Sequence, residues 1–497
     1  GSTWSQQAYL KASNAGADDN FGRRVAIDGD TIVVSAWYED SNNKSDPTNN
    51  DFSNAGAAYI FARSGTTWSQ QAYLKAFTPK INESFSNSVG ISGDTVVVGT
   101  WDNSAYVFTR SGTTWSEQQK LTPSDGAAGD NFGVSAAIDG DTVVIGASNR
   151  NTGAGAAYVF TRSGTTWSQQ QILEASDPAT SDFFGISVAL SGDTVVAGAS
   201  GDVSNQGTVH VFTRSGTTWS EQQILQAANV ENLDFNGYSV GISGDTLVFG
   251  AHGEDSDGSS ESNNDAATSG AAYVFTRSGT TWTQQDYLKA SNAEASDFSG
   301  ISVAVSDGTV VFGAQGEDSD GSSESNNDAG GSGAAYVFAA DSTAPTVTID
   351  LSTGQSDPSN TSPISFDVKF SESVTGFDEN DVNISGMAGT PTINVSGSGD
   401  TYTVTVSGMV DGETITATIP ANAAEDAAGN QSEASAASGQ SVTYNTSAPT
   451  VIFGANTIPA NGASLSAGPH RYLLNSVKTS AHLLPKTKPT IYLSKQV

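Results

Sequence analysis

The chain has 497 residues, of which 53 are Gly, none is Cys and only 15% are charged. Its 53 acidic residues against 20 basic ones leave a net charge of −33, which argues against nucleic acid or anionic lipid as partner, since phosphates call for Lys and Arg. Without Cys there is neither disulfide nor thiolate chemistry, and no run of about 18 apolar residues offers a transmembrane helix, so no membrane insertion is expected.

The first element is a strand signal, GSTWSQQAYLKA at 1–12, which returns as GTTWSQQAYLKA at 65–76. Between the two copies come three more apolar segments. One starts at Phe21-Gly22, a second is TIVVSA at 31–36, and a third is AAYIF at 57–61. We label them strands A, B and C, and the Trp strand D. All are rich in β-branched and aromatic residues and bounded by Gly, Ser, Asp or Asn, as strands are.

The same order recurs along the chain. Strand A starts again at Phe85, Phe132, Phe184, Phe235 and Phe298. Strand B returns as TVVVGT, TVVIGA, TVVAGA, TLVFGA and TVVFGA. Strand C ends at Phe108, Phe160, Phe212, Phe275 and Phe338, and strand D begins at Trp68, Trp115, Trp167, Trp219 and Trp282. Strand B, apolar throughout, suits a strand covered on both faces. Strand D alternates, with Trp68, Gln70, Ala72 and Leu74 on one face and Ser69, Gln71 and Lys75 on the other. The two-residue GD and DG turns between A and B suit type I′ hairpins.

Four antiparallel strands in a unit of about 50 residues mark a β-propeller blade. The expected fold is therefore all-β: a six-bladed propeller at 1–341. Strands A to C occur six times, but the sixth C strand has no D strand after it, while residues 1–11 are a D strand with no blade before it. Residues 1–11 are thus expected to pair with 334–339 and close the ring, which also removes two exposed strand edges.

Alternating strand direction puts the A–B and C–D turns on one side of the disc and the B–C and D–A loops on the other. Nearly all length variation falls in the B–C loops, so that face is the expected binding face. Two of these loops are long and acidic: Glu254, Asp255, Asp257, Glu261 and Asp265 in blade 5, and Glu317, Asp318, Asp320, Glu324 and Asp328 in blade 6. Blade 1 has a looser set, Glu39, Asp40, Asp46 and Asp51. Hard oxygen ligands on Gly/Ser/Asn loops suit Ca²⁺. The candidate metal ligands are Asp255, Asp257, Glu261, Asp265, Asp318, Asp320, Glu324 and Asp328, the alternative being a solvated acidic loop.

Phrases such as DNFGVSAAIDGDTVVIGASNRNTGAGAAYVF (130–160) resemble the FG-GAP repeat, the blade unit of integrin α-chain propellers and of many bacterial surface proteins. The integrin calcium motif between strands A and B is absent, because only SGDT-type turns stand there. Residues 342–447, with APTVTIDLSTGQ, ISFDVKFSESVTGFDENDVNISG and EDAAGN, resemble a bacterial Ig-like domain. Alternating strands at 364–370, 392–396, 401–407 and 413–419 support a β-sandwich. Residues 448–469 start like a further such module. The tail at 470–497 carries Arg471, Lys478, Lys486, Lys488 and Lys495 with no acidic residue, and reads as a disordered or out-of-family end.

Catalytic patterns are sparse. GYSVG (237–241) fits G-x-S-x-G but lies in strand A, not at a strand-to-helix elbow. SGTTW resembles part of the sialidase Asp box, yet Arg63, Arg110, Arg162, Arg214 and Arg277 stand where its Asp belongs. His210 replaces the strand-C Tyr, and His252 follows strand B. The expectation is a non-catalytic, secreted or cell-surface binding or adhesion protein. Its long-loop face would recognise a protein or glycan, with the Ig-like part as spacer. The alternatives are a polysaccharide-active enzyme on a propeller scaffold, and a self-associating surface-layer or filament component.

Overall fold

The computed structural model describes residues 5–42, 49, 51–260, 263–323, 326–341, 343–426, 428–436 and 440–448. Trp4, Asp46, Glu261, Glu324, all but the first residue of the expected module at 448–469 and the whole basic tail lie outside them. The chain divides into two compact units, 1–340 and 341–497.

In the first unit, blade 1 is an antiparallel sheet of Phe21–Asp28, Thr31–Ala36, Ala57–Ser64 and Thr67–Leu74, in that spatial order. Four more four-stranded sheets follow over 88–121, 132–173, 187–225 and 239–288. The sixth sheet has three strands: Ser299–Ser306, Thr309–Ala314 and Ala334–Ala339. Among the described residues, 5–11 belong to no strand, and strand C of blade 6 has strand B as its one neighbour.

Strand B is buried along its whole length in blades 2, 3 and 4, because a neighbouring blade covers each face. Each Val or Ile so buried contributes about 1.5–3 kcal/mol. The blades approach so closely that strand B must be small where it meets the next strand A. A Cβ on Gly146 would lie 2.0 Å from the carbonyl oxygen of Gly185.

Three local features differ from the sequence reading. The A–B turns of blades 1 to 5 place positive φ on the first central residue alone (Gly29 at 54°, Gly140 at 53°), the type II′ pattern. Only Asp307-Gly308 of blade 6 has both residues positive, as type I′ requires. Strand D does not keep one alternation. A bulge sets Phe61 opposite Gln70 and Ile60 opposite Ala72, leaving Gln71 as the extra residue. Beyond it the faces exchange, so Trp68 packs with Tyr73, Tyr59 and Phe61, while Ala72 and Leu74 pack with Ile60 in the cluster shared with blade 2. Lys75, expected outside, is buried.

The third difference concerns the strand-A Phe. In blades 1 to 4 it packs edge-on or tilted against the strand-C rings, edge-on in the case of Phe132 with Tyr158 and Phe160. In blades 5 and 6 that seat holds Asn236 and Ser299, one residue after Phe235 and Phe298. The ring volume comes from strand B instead: Phe249 packs on Tyr273 and Phe275, and Phe312 on Tyr336 and Phe338. One aromatic is exchanged for another across the pair of strands, which conserves core volume.

The second unit pairs two three-stranded sheets, Val347–Leu351, Ile364–Val374 and Thr392–Ser407 in one, and Asn383–Ser385, Thr414–Thr418 and Gln440–Thr443 in the other. The segment Thr392–Ser407 turns back on itself, with the Thr405 hydroxyl donating to the Asn394 carbonyl at 3.4 Å, so the two short strands expected there are the arms of one hairpin. Phe366, Val368, Val404, Val406, Ile415 and Val442 fill the core. Among the described residues no helix is long and apolar enough to cross a membrane.

Candidate functional site

The B–C and D–A loops are bolted together in the same way in all six blades. A carboxylate near the end of each D–A loop accepts the backbone N–H three residues upstream. Asp19 takes Gly16 at 2.6 Å, Glu83 takes Lys80 at 3.0 Å, and Asp130 takes Ala127 at 2.7 Å. Asp182, Asp234 and Asp297 repeat this with Ala179, Glu231 and Glu294. The same residue's carbonyl then accepts an N–H from the loop leaving strand B, as Asp234 does from Gly253 and Asp297 from Gly316. Long loops are thereby rooted on a rigid base.

In blades 1 and 5 an ion pair anchors the acidic loop from inside. Lys75 Nζ lies 2.6 Å from Glu39, and Lys289 Nζ lies 2.6 Å from Glu254, with all four side chains buried. Burial drives both ammonium groups below the ordinary lysine range, and the facing glutamate opposes the shift. Next to each pair, Ser41 bonds to the Tyr73 hydroxyl and Ser256 to that of Tyr287. These glutamates are loop anchors, not surface ligands.

The other loop carboxylates hold their own loops. Asp255 accepts the Thr268 N–H and Asp318 the Gly331 N–H. Asp257 accepts from the Ser259 N–H and from Asn263, and Asp320 from the Ser322 N–H and Asn326. The Ser259 and Ser322 bonds, the largest cause, together with the Asn bonds hold both carboxyls down at about 2. Asp265 and Asp328 are exposed. Asp255 also lines a cavity of about 10 Å³ with Asn229, Glu231, Asp234, Glu254 and Asn264. Burial, then Glu254, Asp255 and Glu231, raise the Asp234 carboxyl to about 6.

Among the described residues, three carboxylates come within reach of one cation at a place the sequence reading passed over. Oxygens of Asp341, Glu372 and Asp426 in the Ig-like unit lie within 4.8 Å of one another. Asp426 is buried and held by the Ala428 and Asn430 N–H groups at 2.8 and 2.9 Å. Its neighbours and burial push the Glu372 carboxyl up, burial first. Such a set could hold a divalent metal.

The remaining singled-out residues pack or bond within the blades. Ser239 of GYSVG donates to the Gly300 carbonyl at 2.8 Å. His210 is fully buried between Thr208 and Glu221. His252 stacks on Phe235 at 5.0 Å, and burial lowers it to about 4. Each strand-end Arg grips the turn Asp of its own blade and, from blade 2 to blade 5, a strand-B Thr of the blade before, as Arg162 does with Asp141 and Thr95.

The FG-GAP repeat family matches residues 4–61, 115–160, 167–212, 219–275 and 282–338. The chain belongs to the FG-GAP repeat family. Each matched stretch starts at a Trp of the repeat and ends in strand C, and in the four from residue 115 onward that Trp lies in strand D, so those stretches run D-A-B-C. Residues 341–446 match the bacterial Ig-like domain. No curated protein matches the chain. Among solved structures, the computationally designed Ika8 protein is similar over 64% of this chain and 70% of its own, with 13% identity and a TM-score of 0.36.

Proposed function

We propose that this FG-GAP protein is a non-catalytic, extracellular binding or adhesion protein. Its B–C/D–A face, on a ring of six blades, recognises a protein or glycan, and its Ig-like part serves as spacer. The observation that carries the reading is the anchoring of that face. In every blade the two loops are pinned by a carboxylate bolt, and in blades 1 and 5 by a buried ion pair as well. The opposite face has only two-residue turns. Preorganised long loops on a rigid scaffold favour binding because little ordering is left to be done.

Ca²⁺ is the cation we assign to Asp341, Glu372 and Asp426, an all-oxygen set with one ligand already oriented by backbone N–H groups. Exposed Asp265 and Asp328 remain open to a ligand or its cation. The test is an array of glycans and matrix proteins probed with the whole chain, with Ca²⁺ and with EDTA. Binding lost when the blade 5 loop is shortened to the blade 2 length, and kept when A–B turn residues are changed, supports the reading. Turnover of a bound glycan would favour an enzyme instead.

A further inference from the structure

The buried ion pair of blade 1 has two further members. Asn14, in the D–A loop that enters the blade, donates its amide Nδ2–H to Glu39 Oε1 at 3.1 Å. Lys75 Nζ lies 2.6 Å from the other oxygen, Glu39 Oε2. One carboxylate thus holds an amine and a carboxamide, one on each oxygen. The Tyr59 hydroxyl donates to the carbonyl oxygen of the same amide, Asn14 Oδ1, at 2.7 Å. An amine, an amide carbonyl, a carboxylate touching both sides and an O–H on the carbonyl oxygen are the parts of an acyl transfer.

The surroundings are dry and aromatic. Lys75, Glu39 and Tyr59 are 1%, 2% and 0% exposed, and Asn14 is half-buried. The Tyr59 ring packs edge-on to Phe21 at 5.4 Å and to Tyr73 at 5.3 Å. Burial lowers the Lys75 ammonium, while Glu39, Glu83 and Asp40 pull the other way. The net shift brings the neutral, nucleophilic amine within easier reach. Among the described residues, Glu39 is the carboxylate in ion-pair contact with it.

Blade 6 shows what the set is without its lysine. Asn292 donates to Glu317 at 3.0 Å and Tyr336 donates to Asn292 at 2.6 Å, but no Lys pairs with Glu317 among the described residues. There the three groups tie two loops together. In blade 5, Asn229, Glu254, Tyr273 and Lys289 take the corresponding places, but Lys289 is shared between Glu254 and the Ser269 hydroxyl, the latter at 2.7 Å. In blade 1 the nucleophile, the carboxylate, the amide and the hydroxyl form one continuous chain of contacts.

We propose that Lys75 and Asn14 become joined by an intramolecular isopeptide bond, with Glu39 as the catalytic carboxylate and Tyr59 as the oxyanion donor. Glu39 takes a proton from the Lys75 ammonium. The freed lone pair of Nζ attacks Cγ of Asn14 and forms the new C–N bond, and Oδ1 takes up negative charge against the Tyr59 O–H. Glu39 gives its proton to Nδ2, the Cγ–Nδ2 bond breaks, and ammonia leaves. Glu39 then takes the second proton from Nζ and ends neutral. Nothing is oxidised or reduced. Two buried charges have become an amide and a neutral acid, which removes the desolvation cost that both carried. The fold holds the groups together beforehand, so the step loses little entropy. The ion pair is its starting state, and the state kept by a chain that has not reacted.

The link ties the loop entering blade 1 to the residue after its strand D, so all four strands of the blade fall inside one covalent ring. In a chain without Cys it supplies the loop closure that a disulfide gives elsewhere, and reductants do not open it.

The test is a tryptic map of the whole folded chain, read by mass. The bond blocks cleavage after Lys75, so peptide 12–23 should appear joined to peptide 64–80, lighter than their sum by one ammonia. Glu39→Gln keeps hydrogen bonds to both neighbours but cannot carry the proton, and Lys75→Arg keeps the charge without the nucleophilic amine. Both should give separate peptides. Asn14→Asp should still link, now with loss of water. Free peptide 12–23 together with full cleavage after Lys75 in the folded parent chain overturns the proposal, whether or not any variant folds. Linked peptide as abundant in Glu39→Gln as in the parent overturns the catalytic role of Glu39.

Discussion

Replacing Lys75 by Met isolates what a buried loop anchor is worth. Lys75 Nζ sits 2.6 Å from Glu39 Oε2, and the two side chains are 0% and 2% exposed. Met keeps most of the stem volume and removes the charge. Glu39 then retains the Asn14 amide at 3.1 Å and the Ser41 hydroxyl at 3.2 Å, but no cation. Removing one partner of such a pair costs about 3–5 kcal/mol, mostly the price of an uncompensated buried charge. With an unfolding entropy of about 2.1 cal/mol/K per residue, a unit of 340 residues should lose roughly 4–7 °C in melting temperature. The urea midpoint should fall at an unchanged m-value. Adding Glu39→Gln should recover most of the loss, since two neutral groups leave no stranded charge. A Lys75→Met loss below about 1 kcal/mol, or a double variant as unstable as the single one, would refute the reasoning.

Three further outcomes are expected. Asp234 titrates at about 6 in the folded chain and near 3.9 unfolded, so the folded state holds the extra proton between these values. Its contribution to stability therefore grows as pH falls through 6 and is complete below about 4. Asp234→Asn should accordingly be more stable than the parent at pH 7.5, with the difference vanishing near pH 4 in urea titrations. Gly146→Ala should cost about 3 kcal/mol or more, because its Cβ would meet the Gly185 carbonyl at 2.0 Å and neither backbone can yield. Calcium should raise the melting temperature of the Ig-like transition in scanning calorimetry, and Asp426→Asn should abolish that shift without unfolding the domain.

The strands were legible because six copies of each marker stand in the same order, so one ambiguous run is settled by five others. The Gln71 bulge was not: an extra residue in a ladder is a choice of pairing, and Gln-Gln reads as plain alternation until its partner strand is in place. That bulge carries Lys75 inward, which is why the anchors were read as part of a surface cluster. The exchange of Phe132-type rings for Phe249 and Phe312 was written in TLVFGA and TVVFGA, but its meaning needs both strands side by side. Asp341, Glu372 and Asp426 are far apart in the chain and share no spacing rule. By contrast, the three strands of the sixth sheet follow from the strand count itself.

The central claim is that ligand meets the B–C/D–A face. It is tested most directly by placing a single Cys on each face, Asp265→Cys among the long loops and Asp193→Cys in an A–B turn. Each is coupled to a bulky polyethylene glycol, and binding to whatever glycan or matrix protein the array identifies is measured. The account predicts that the adduct at 265 abolishes binding and the adduct at 193 leaves it intact. Binding that survives at 265 and disappears at 193 would contradict it.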